Sequence, residues 1–594
     1  MGADPSWPVP VAMTHEMSRR LRHRGPDETR TVDIPAGALI SCRLAVLDPE
    51  RSHQPLTDCS GAVTVVYSGE IYNYRELRRE LSAAGHVFLT DGDGEVIPHL
   101  YEGYGTNFPE RLRGAFAIAV YDRPADRLVL VRDRLGEKPL VYAVTGDRFL
   151  FASETRAIVP YTDGRISASA VHRYLHFGYV PEPSTVFEGI EKVPAGTVMV
   201  LDRAASLVPR FTGYWSPRVL EGRGGAASPR GRVAAMAESF STAVGQQLNA
   251  DVPAAVALSD GIDSTLLTEV AARCVPRPRT YSVAFDWMRD DRHVALADAT
   301  ARRVGASHAV IEISPARYMN LLVEGAAAQG EPIADWTMPA YLGMADRCRE
   351  DGVRVLLTGH GPDELFLAYD WTRSALRSLG GEAAGEDGAL HDAYRFNPEY
   401  REAVMLAGSL SGKYAPMMNG EAHPMSSVRG GRNARSDLRQ RLVAGYLRSN
   451  GLMQLDGLGL LKEVEVRLPY VDHRFVEAAI SADNGAAHDP DRPKALLYEM
   501  AAALGIGVRF TPKRPFFPDL RGVNAPVTAL AESMLPSGTL VGDGVVPRGS
   551  AERLLGSVRT TGTGLNMMYR LLILELWLRH LGDPVGGTAG GLRG

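Results

Sequence analysis

Two short segments of the sequence place carboxylates, hydroxyls and glycines directly after apolar runs. The first, "LSDGIDST" (258–265), follows "VPAAVA" and precedes the amphipathic stretch "LLTEVAARC". A glycine-containing turn at a helix start presents backbone N–H groups that bind anions, and Ser259, Ser264 and Thr265 add hydroxyl donors. The segment therefore predicts a phosphate-binding loop, with an ordinary capped helix start as the alternative.

The carboxylates of these segments predict a metal ion beside the anion. Asp263 lies in the first segment, and Asp363 lies in the second, "TGHGPDELF" (358–366). Mg²⁺ typically joins one or two carboxylates to phosphate oxygens and waters, so the two aspartates could hold Mg²⁺ between them. The Walker pattern GxxxxGK(S/T) does not occur in the sequence, which disfavours simple transfer of a terminal phosphate. Pyrophosphate together with Mg²⁺ fits both features.

The elements around these segments predict two domains. Residues 1–215 alternate β-rich runs such as "AVTVVYSG" and "FAIAVYD" with turns, which is typical of a strand-dominated α+β domain. In residues 233–594, short apolar strands such as "AAVALS" and "VRVLLTG" alternate with helical stretches. This pattern predicts an α/β doubly wound sheet that binds ligands at the carboxyl ends of its strands. The Gly-, Pro-, Ser- and Arg-rich stretch 216–232 is predicted to be a linker.

Composition favours small-molecule chemistry. The 594 residues carry a formal charge of −5, so no basic excess favours nucleic acid as a partner. Neither a leader peptide nor a long uncharged apolar run is visible, so we expect a cytoplasmic protein with no membrane partner and leave a homodimer open. The four cysteines have no CxxC spacing, so we expect buried apolar thiols rather than disulfides or a zinc site.

Several ordered motifs resemble those of a known family. "LSDGIDST" resembles the pyrophosphate-binding loop of the ATP pyrophosphatases, and "TGHGPDELF" resembles the second loop of the asparagine synthetases. "EVEVRLPYVDHRFVEAA" (463–479), "KALLYEM" from Lys494 and "FTPKRPF" around Lys513 follow in the family's order. Upstream, "RHRGPD", "SGEIYNY", "DGDGEVI" and "RDRLGEKPLVY" are similar to the glutaminase domain of class II amidotransferases, an N-terminal-nucleophile-type sandwich.

The resemblance implies an ATP-dependent, AMP-forming C–N ligase of the asparagine synthetase type. Such an enzyme activates a carboxylate as an acyl-adenylate, which ammonia or an amine then attacks, so ATP, Mg²⁺, a small carboxylate and a nitrogen donor are expected. The alternatives are an amide or lactam synthetase of specialised metabolism that acts on a carboxylate other than aspartate, and a catalytically silent scaffold. The implied site residues are Asp263 and Asp363 for the metal; Leu258, Ser259, Gly261, Asp263 and Ser264 for pyrophosphate; Ser282, Val283, Gly359 and Lys513 for ATP; and Lys494 for charge on the α-phosphate.

Three positions of the synthetase half depart from the family pattern. Asp260 stands where the family usually has Gly, so binding of pyrophosphate should suffer unless Asp260 points outward or joins the metal site. His360 replaces the usual Glu beside the presumed acyl centre, where a neutral imidazole could act as general base or could merely hydrogen-bond the backbone. Gly457 replaces an Arg. For Lys494, the alternative to catalysis is an exposed helix lysine.

The glutaminase half retains a glutamine pocket but lacks the nucleophile that the resemblance requires. Arg43 matches the family's ligand for the α-carboxylate, Asp93 matches its ligand for the α-amine, and Gly69 and Glu70 match the pocket wall. Ser68 replaces the usual Asn of the oxyanion hole. Position 2, where the family has the catalytic Cys, is Gly. Either the first strand was lost or the chain start is misplaced; in both cases we expect no glutamine hydrolysis by the chain as numbered.

Overall fold

The protein was analysed as a computed structural model. The structure describes residues 9–35, 37–203, 207–217, 228–288, 292–378, 397, 402, 434–483, 492, 494–508 and 518–581. Within these ranges no helix has both the length and the apolar character needed to cross a bilayer.

The N-terminal domain is a sandwich of antiparallel sheets covered by helices on both sides. Its largest sheet has the order β11-β10-β6-β5-β4-β3, and it faces the smaller sheets β1-β2 and β8-β7-β9. The strands are β1 (Glu28–Ile34), β2 (Gly37–Arg43), β3 (Leu56–Thr57), β4 (Val63–Ile71), β5 (Gly114–Asp122), β6 (Arg127–Arg132), β7 (Val141–Thr145), β8 (Arg148–Ala152), β9 (Ile190–Lys192), β10 (Thr197–Asp202) and β11 (Arg210–Gly213). The helices are α1 (Val11–Leu21), α2 (Tyr74–Ala83), α3 (Val96–Tyr104), α4 (Thr155–Ile158) and α5 (Ala168–Phe177).

Alternation along the central strands divides the apolar residues between two cores. On β5, Ala117 and Ala119 point into the core between the sheets, and Ile118 points into the core beneath α2 and α3. Because β5 is covered on both faces, it reads as a continuous apolar run in the sequence. The predicted strand-dominated α+β sandwich is confirmed.

The layer opposite the large sheet is split between β2 and β8. The structure pairs β2 with β1 and β8 with β7, so the two small sheets remain separate. A cavity of about 130 Å³ lies at the split and is lined by residues of both strands, including Ile40 and Leu150, together with Met13 of α1 and Ala117 of β5. The chain also reaches this cavity at Val9.

The C-terminal domain is built on a parallel sheet of five strands. Its order is β14-β13-β12-β15-β16, with every neighbouring pair parallel. The strands are β12 (Ala254–Ala257), β13 (Arg279–Phe285), β14 (Ser307–Ile313), β15 (Val355–Leu357) and β16 (Glu465–Arg467). The chain starts in the middle of the sheet, moves outward to β14 and then returns to β15. The order therefore reverses between β12 and β15, and the crevice of such a sheet opens at this switch point.

Helices cover both faces of this sheet. Ala255 and Leu356 face one core, whereas Val256 and Val355 face the other. The helices are α6 (Pro229–Gln247), α7 (Ile262–Cys274), α8 (Arg292–Arg303), α9 (Pro315–Ala328), α10 (Met338–Glu350), α11 (Pro362–Leu365), α12 (Asp370–Ser378), α13 (Ala434–Arg441), a π-helical segment (Leu442–Leu452), α14 (Met453–Leu461), α15 (His473–Ala482), α16 (Ala495–Ala503), α17 (Asn524–Met534), α18 (Thr539–Gly542), α19 (Arg548–Thr561) and α20 (Leu565–His580). The predicted doubly wound sheet is confirmed, and α6 begins inside the predicted linker.

Buried charges join the two domains. Asp456 on α14 accepts hydrogen bonds from Arg24 at 2.6 Å and from Lys138 at 3.0 Å, and all three side chains are buried. Glu70 on β4 pairs with Arg467 on β16 at 3.1 Å. Each cation thus meets a carboxylate of the other domain, which offsets the cost of removing both charges from water.

Candidate active site

The two predicted loops meet at the switch point of the parallel sheet. The loop after β12 leads into α7, and the loop after β15 leads into α11. A Cβ atom added to Gly359 would lie 3.2 Å from the Cβ of Asp263 and 3.2 Å from the backbone nitrogen of Ser264. Only glycine allows this approach without displacing the neighbouring loop, which explains Gly359 as a packing residue whether or not it also contacts ATP.

Lys494 joins the two aspartates. Its Nζ lies 2.5 Å from Oδ2 of Asp263 and 2.7 Å from Oδ1 of Asp363. Lys494 is buried, so the alternative of an exposed helix lysine is wrong. It precedes α16 with a φ of +65°, which is uncommon for a residue other than glycine.

The charge of Lys494 is fixed by its partners. Burial opposes the charged form, but the carboxylates of Asp263 and Asp363 outweigh burial and raise the pKa of the Lys494 ammonium above its ordinary value. The side chain is therefore a cation at neutral pH. As a cation it can neutralise phosphate charge, and it cannot serve as a general base.

Asp263 and Asp363 also fit a divalent metal ion. Mg²⁺ takes oxygen ligands and is usually held by one or two carboxylates plus phosphate oxygens. The observation that favours this fit is that the fold brings two carboxylates from different strands to one ammonium group. The two carboxylates carry one more charge than Lys494 neutralises, and a phosphate ligand would supply the oxygens that complete a metal's coordination.

The hydroxyls of the first loop organise its backbone. The Ser264 hydroxyl accepts a hydrogen bond from the backbone N–H of Ser259 at 2.9 Å and lies 2.8 Å from the Ser259 hydroxyl. Gly261 occupies the N-cap of α7 and has no side chain to cap the first turn. The first-turn amides of α7 are therefore not covered by their N-cap residue, which is the arrangement that favours an anion at a helix start.

The side chain of Asp260 contacts α8. Its Oδ2 lies 2.6 Å from Nδ1 of His293, so its charge is directed to a partner outside the loop. Of the two arrangements under which pyrophosphate could still bind, the structure shows Asp260 directed away from its own loop.

His360 has a hydroxyl at each ring nitrogen. Nε2 lies 2.8 Å from the hydroxyl of Tyr341, and Nδ1 lies 3.0 Å from the hydroxyl of Thr358. Burial lowers the pKa of the His360 imidazole to about 4, and the nearby Asp363 carboxylate offsets only part of this effect. The ring is therefore neutral at pH 7, as a general base must be, although a pKa this low makes it a weak base.

The remaining predicted ATP residues lie on or beside the central strands. The Ser282 hydroxyl donates to the carbonyl of Leu258 at 2.6 Å, so this side chain ties β13 to the first loop. Val283 is half-buried on β13. Lys513 lies outside the described residues.

All five residues predicted to bind glutamine line one cavity. This cavity of about 50 Å³ contains Arg43, Ser68, Gly69, Glu70 and Asp93. Its wall is completed by residues that sequence reasoning missed, namely Arg24 and Lys138 of the same domain and Leu460 and Glu465 of the other. The cavity therefore lies at the interface between the domains.

Arg43 and Asp93 of this cavity already form hydrogen bonds within the protein. Arg43 donates to the carbonyls of Leu47 and Pro49, both at 3.0 Å. Asp93 accepts from the hydroxyl of Tyr67 and from the backbone N–H of Ile71, both at 2.7 Å. Burial raises the pKa of the Asp93 carboxyl, and these hydrogen bonds oppose the rise.

Cys42 is the cysteine that lines both cavities of the N-terminal domain. It lies within β2, so its backbone nitrogen belongs to a peptide bond and cannot act as a base. Burial raises the pKa of the Cys42 thiol, and the Thr29 hydroxyl only partly opposes this shift. The thiol is thus protonated at neutral pH and is a poor nucleophile.

Several supporting residues were not found by sequence reasoning. Tyr341 holds His360, His293 holds Asp260, and the Tyr470 hydroxyl donates to the carbonyl of Asp263 at 2.8 Å. Tyr470 lies in the motif "RLPYVDHRF" and could have been singled out there. The two others lie in ordinary helical stretches and carry no local signal.

Comparison with family models divides the chain at the same place as the fold. Residues 6–215 match the glutamine amidotransferase domain, and residues 235–579 match the asparagine synthase domain.

Three individual relatives show the extent of the similarity. A Mycobacterium bovis protein provisionally named as a glutamine-hydrolyzing asparagine synthetase is 30% identical over 517 residues, covering 79% of this chain and 78% of the relative. Glutamine-hydrolyzing asparagine synthetase 1 of Bacillus subtilis is 33% identical over 365 residues, 61% of this chain and 56% of the relative. Amidase chyE of Penicillium rubens is 28% identical over 376 residues, 60% and 55%. The chain belongs to the asparagine synthase family of ATP-dependent C–N ligases.

Proposed function

We propose that the chain activates a carboxylate as an acyl-adenylate and joins it to ammonia or an amine. The observation that carries this proposal is the buried Lys494 ammonium between Asp263 and Asp363, at the switch point of a doubly wound sheet. A scaffold without activity gains nothing from a buried cation and two carboxylates gathered at a crevice, so this arrangement favours an enzyme over the silent alternative.

The side chains divide the adenylation step between them. A carboxylate oxygen of the substrate attacks the α-phosphorus of ATP, and the bond to the β-phosphate breaks, which releases pyrophosphate. The first turn of α7 would bind the departing pyrophosphate, and Lys494 would neutralise negative charge that develops at the α-phosphate. Asp263 and Asp363 would hold Mg²⁺, which supplies further positive charge beside the leaving group when bound.

The second step forms the amide. The nitrogen attacks the acyl carbon and loses a proton, and the bond from that carbon to the AMP oxygen breaks. His360 is the proposed acceptor of the proton, and Tyr341 and Thr358 would hold the ring in place. Position 360 also bears on the substrate. The family usually has Glu here, and its replacement by His360 favours a carboxylate other than aspartate. An amide or lactam synthetase of specialised metabolism remains the second candidate.

For residues 1–594 as numbered, the proposed nitrogen donor is ammonia or an amine, since these residues include no cysteine with a free α-amine. In the described part of the glutamine cavity, the thiol of Cys42 is protonated and has no free α-amine beside it. A positioned thiolate provides most of the advantage in attack on an amide, and water does not replace it.

The first prediction concerns adenylation. Asp263→Ala and Lys494→Met should each reduce carboxylate-dependent exchange of pyrophosphate into ATP by about 10²-fold or more, because each removes charge that stabilises the transition state. Asp370→Asn is the matched control, since Asp370 is an exposed carboxylate shortly after the second loop. A fold check by circular dichroism accompanies each variant. Wild-type exchange rates in Asp263→Ala would contradict the proposal.

The second prediction separates the two chemical steps. His360→Ala should leave pyrophosphate exchange nearly intact and slow amide formation by about 10²- to 10⁴-fold, the usual range for loss of a general base. Because the pKa of His360 is lowered to about 4, its protonation should cause no change in the amide-forming rate as the pH rises from 5 to 8. If both steps slow equally, His360 has a structural or binding role instead.

The third prediction concerns nitrogen. Purified residues 1–594 should release no glutamate from glutamine, yet should form product when ammonium is supplied at a pH that leaves enough neutral ammonia. Arg43→Ala gives the background rate of glutamate release, and Cys42→Ala should match wild type. Glutamate release clearly above the Arg43→Ala background would show that the glutaminase half is active.

A further inference from the structure

Three side chains with metal-binding atoms meet on the N-terminal domain, and none of them lines either of the two cavities described above. Cys59 lies in the turn after β3, His86 lies in the connection after α2, and His99 lies on α3. One ligand atom from each residue lies within 4.8 Å of the others. No other such group of three occurs among the residues that the structure describes.

The imidazole of His99 needs a partner. Its residue is only 1% exposed, and neither ring nitrogen has a hydrogen-bond partner within the described ranges. The ring is enclosed by His86, with ring centroids 5.0 Å apart, and by Phe88, at 4.8 Å. Buried polar nitrogens without partners are rare in folded proteins, since the lost hydrogen bonds to water are not replaced.

Hydrogen bonding within the group does not supply the missing partner. The thiol of Cys59 donates toward the carbonyl of Val87 at 3.8 Å and not toward an imidazole nitrogen of His99.

The carboxylate of Glu102 lies beside the imidazole of His86. Glu102 follows His99 by three residues on α3, so both side chains lie on one face of the helix. Its Oε2 is 3.5 Å from Nδ1 of His86. A carboxylate beside one ring nitrogen orients a histidine and leaves the other nitrogen for a metal, as is common at zinc sites.

We propose that Cys59, His86 and His99 bind a Zn²⁺ ion. Thiolate sulfur and imidazole nitrogen are preferred ligands of zinc, whereas Mg²⁺ prefers oxygen. Ligand atoms around tetrahedral zinc lie about 3.3 to 3.8 Å apart, so small side-chain rotations would close the present arrangement. Cys59 is exposed, which gives the ion a route and leaves the fourth position to water. On binding, the thiol proton passes to solvent.

The ion would connect three segments of the chain, and two of them flank Asp93 in the sequence. The connection that carries His86 continues through Asp93 before it reaches α3 and His99. Zinc bound at both ends of this connection would restrict the loop that places Asp93 in the cavity wall. The proposed role is therefore structural, and it does not depend on the ligase reaction.

Cobalt provides the test, because a thiolate bound to Co²⁺ gives a charge-transfer band in the near ultraviolet that oxygen ligands do not give. Full-length protein is stripped with a chelator and titrated with Co²⁺. We expect the band to saturate near one equivalent, to disappear on addition of Zn²⁺, and to be absent in Cys59→Ser. Cys274→Ser is the matched control, since Cys274 is equally exposed but belongs to no such group in the described chain.

Two further variants test other residues of the proposed zinc site. His86→Gln, at a partly exposed ligand, should also lose the band, and Glu102→Gln should weaken Co²⁺ binding by about 10- to 100-fold. Zn²⁺ should raise the thermal midpoint of the wild type but not that of Cys59→Ser. The proposal is overturned if the wild type shows no thiolate band, or if the band persists in Cys59→Ser.

Discussion

The proposed active site depends on the ion pairs that the Lys494 ammonium makes with Asp263 and Asp363. The two carboxylates come from loops after β12 and β15, which are adjacent only because the strand order reverses there. Brought together without a cation they would repel one another in a half-buried crevice. Lys494 arrives from a distant part of the sequence and enters α16 through a left-handed backbone conformation. The position of Lys494 between the two aspartates therefore depends on the strand order, on the loop packing at Gly359 and on the start of α16.

A second set of buried charges couples this domain to the other. Asp456 lies between Arg24 and Lys138, and Arg467 lies between Glu70 and Glu465. Removing one member of such a set leaves a buried charge without its partner, which typically costs about 3–5 kcal/mol. Four members of this set, Arg24, Lys138, Glu70 and Glu465, line the glutamine cavity, so the geometry of that cavity depends on the contact between the domains. The charged residues that join the domains thus also form the part of the cavity lining that lies next to the synthetase domain.

Local sequence patterns predicted much of the fold and of the candidate site. Contacts between residues that are distant in sequence could not be predicted from such patterns. The strands follow from apolar runs, and both loops, Asp263, Asp363 and five residues of the second cavity's lining follow from motifs. The burial of Lys494 and the turning of Asp260 toward His293 depend on residues that are distant in sequence. The cysteines illustrate the same limit: Cys59 and Cys274 are exposed, so the expectation of four buried thiols was wrong. The spacing of Cys59, His86 and His99 resembles no compact zinc motif, and only the fold brings these residues together.

The central claim is that the substrate carboxylate becomes bonded to the α-phosphorus of ATP. The most direct measurement follows ¹⁸O from the carboxylate of whichever substrate supports turnover, with the products separated and weighed by mass spectrometry. The proposed mechanism places one ¹⁸O in AMP and none in pyrophosphate, because the acyl carbon leaves its oxygen on the nucleotide when nitrogen attacks. Formation of ADP with ¹⁸O in inorganic phosphate would contradict it, since that result requires attack at the γ-phosphorus.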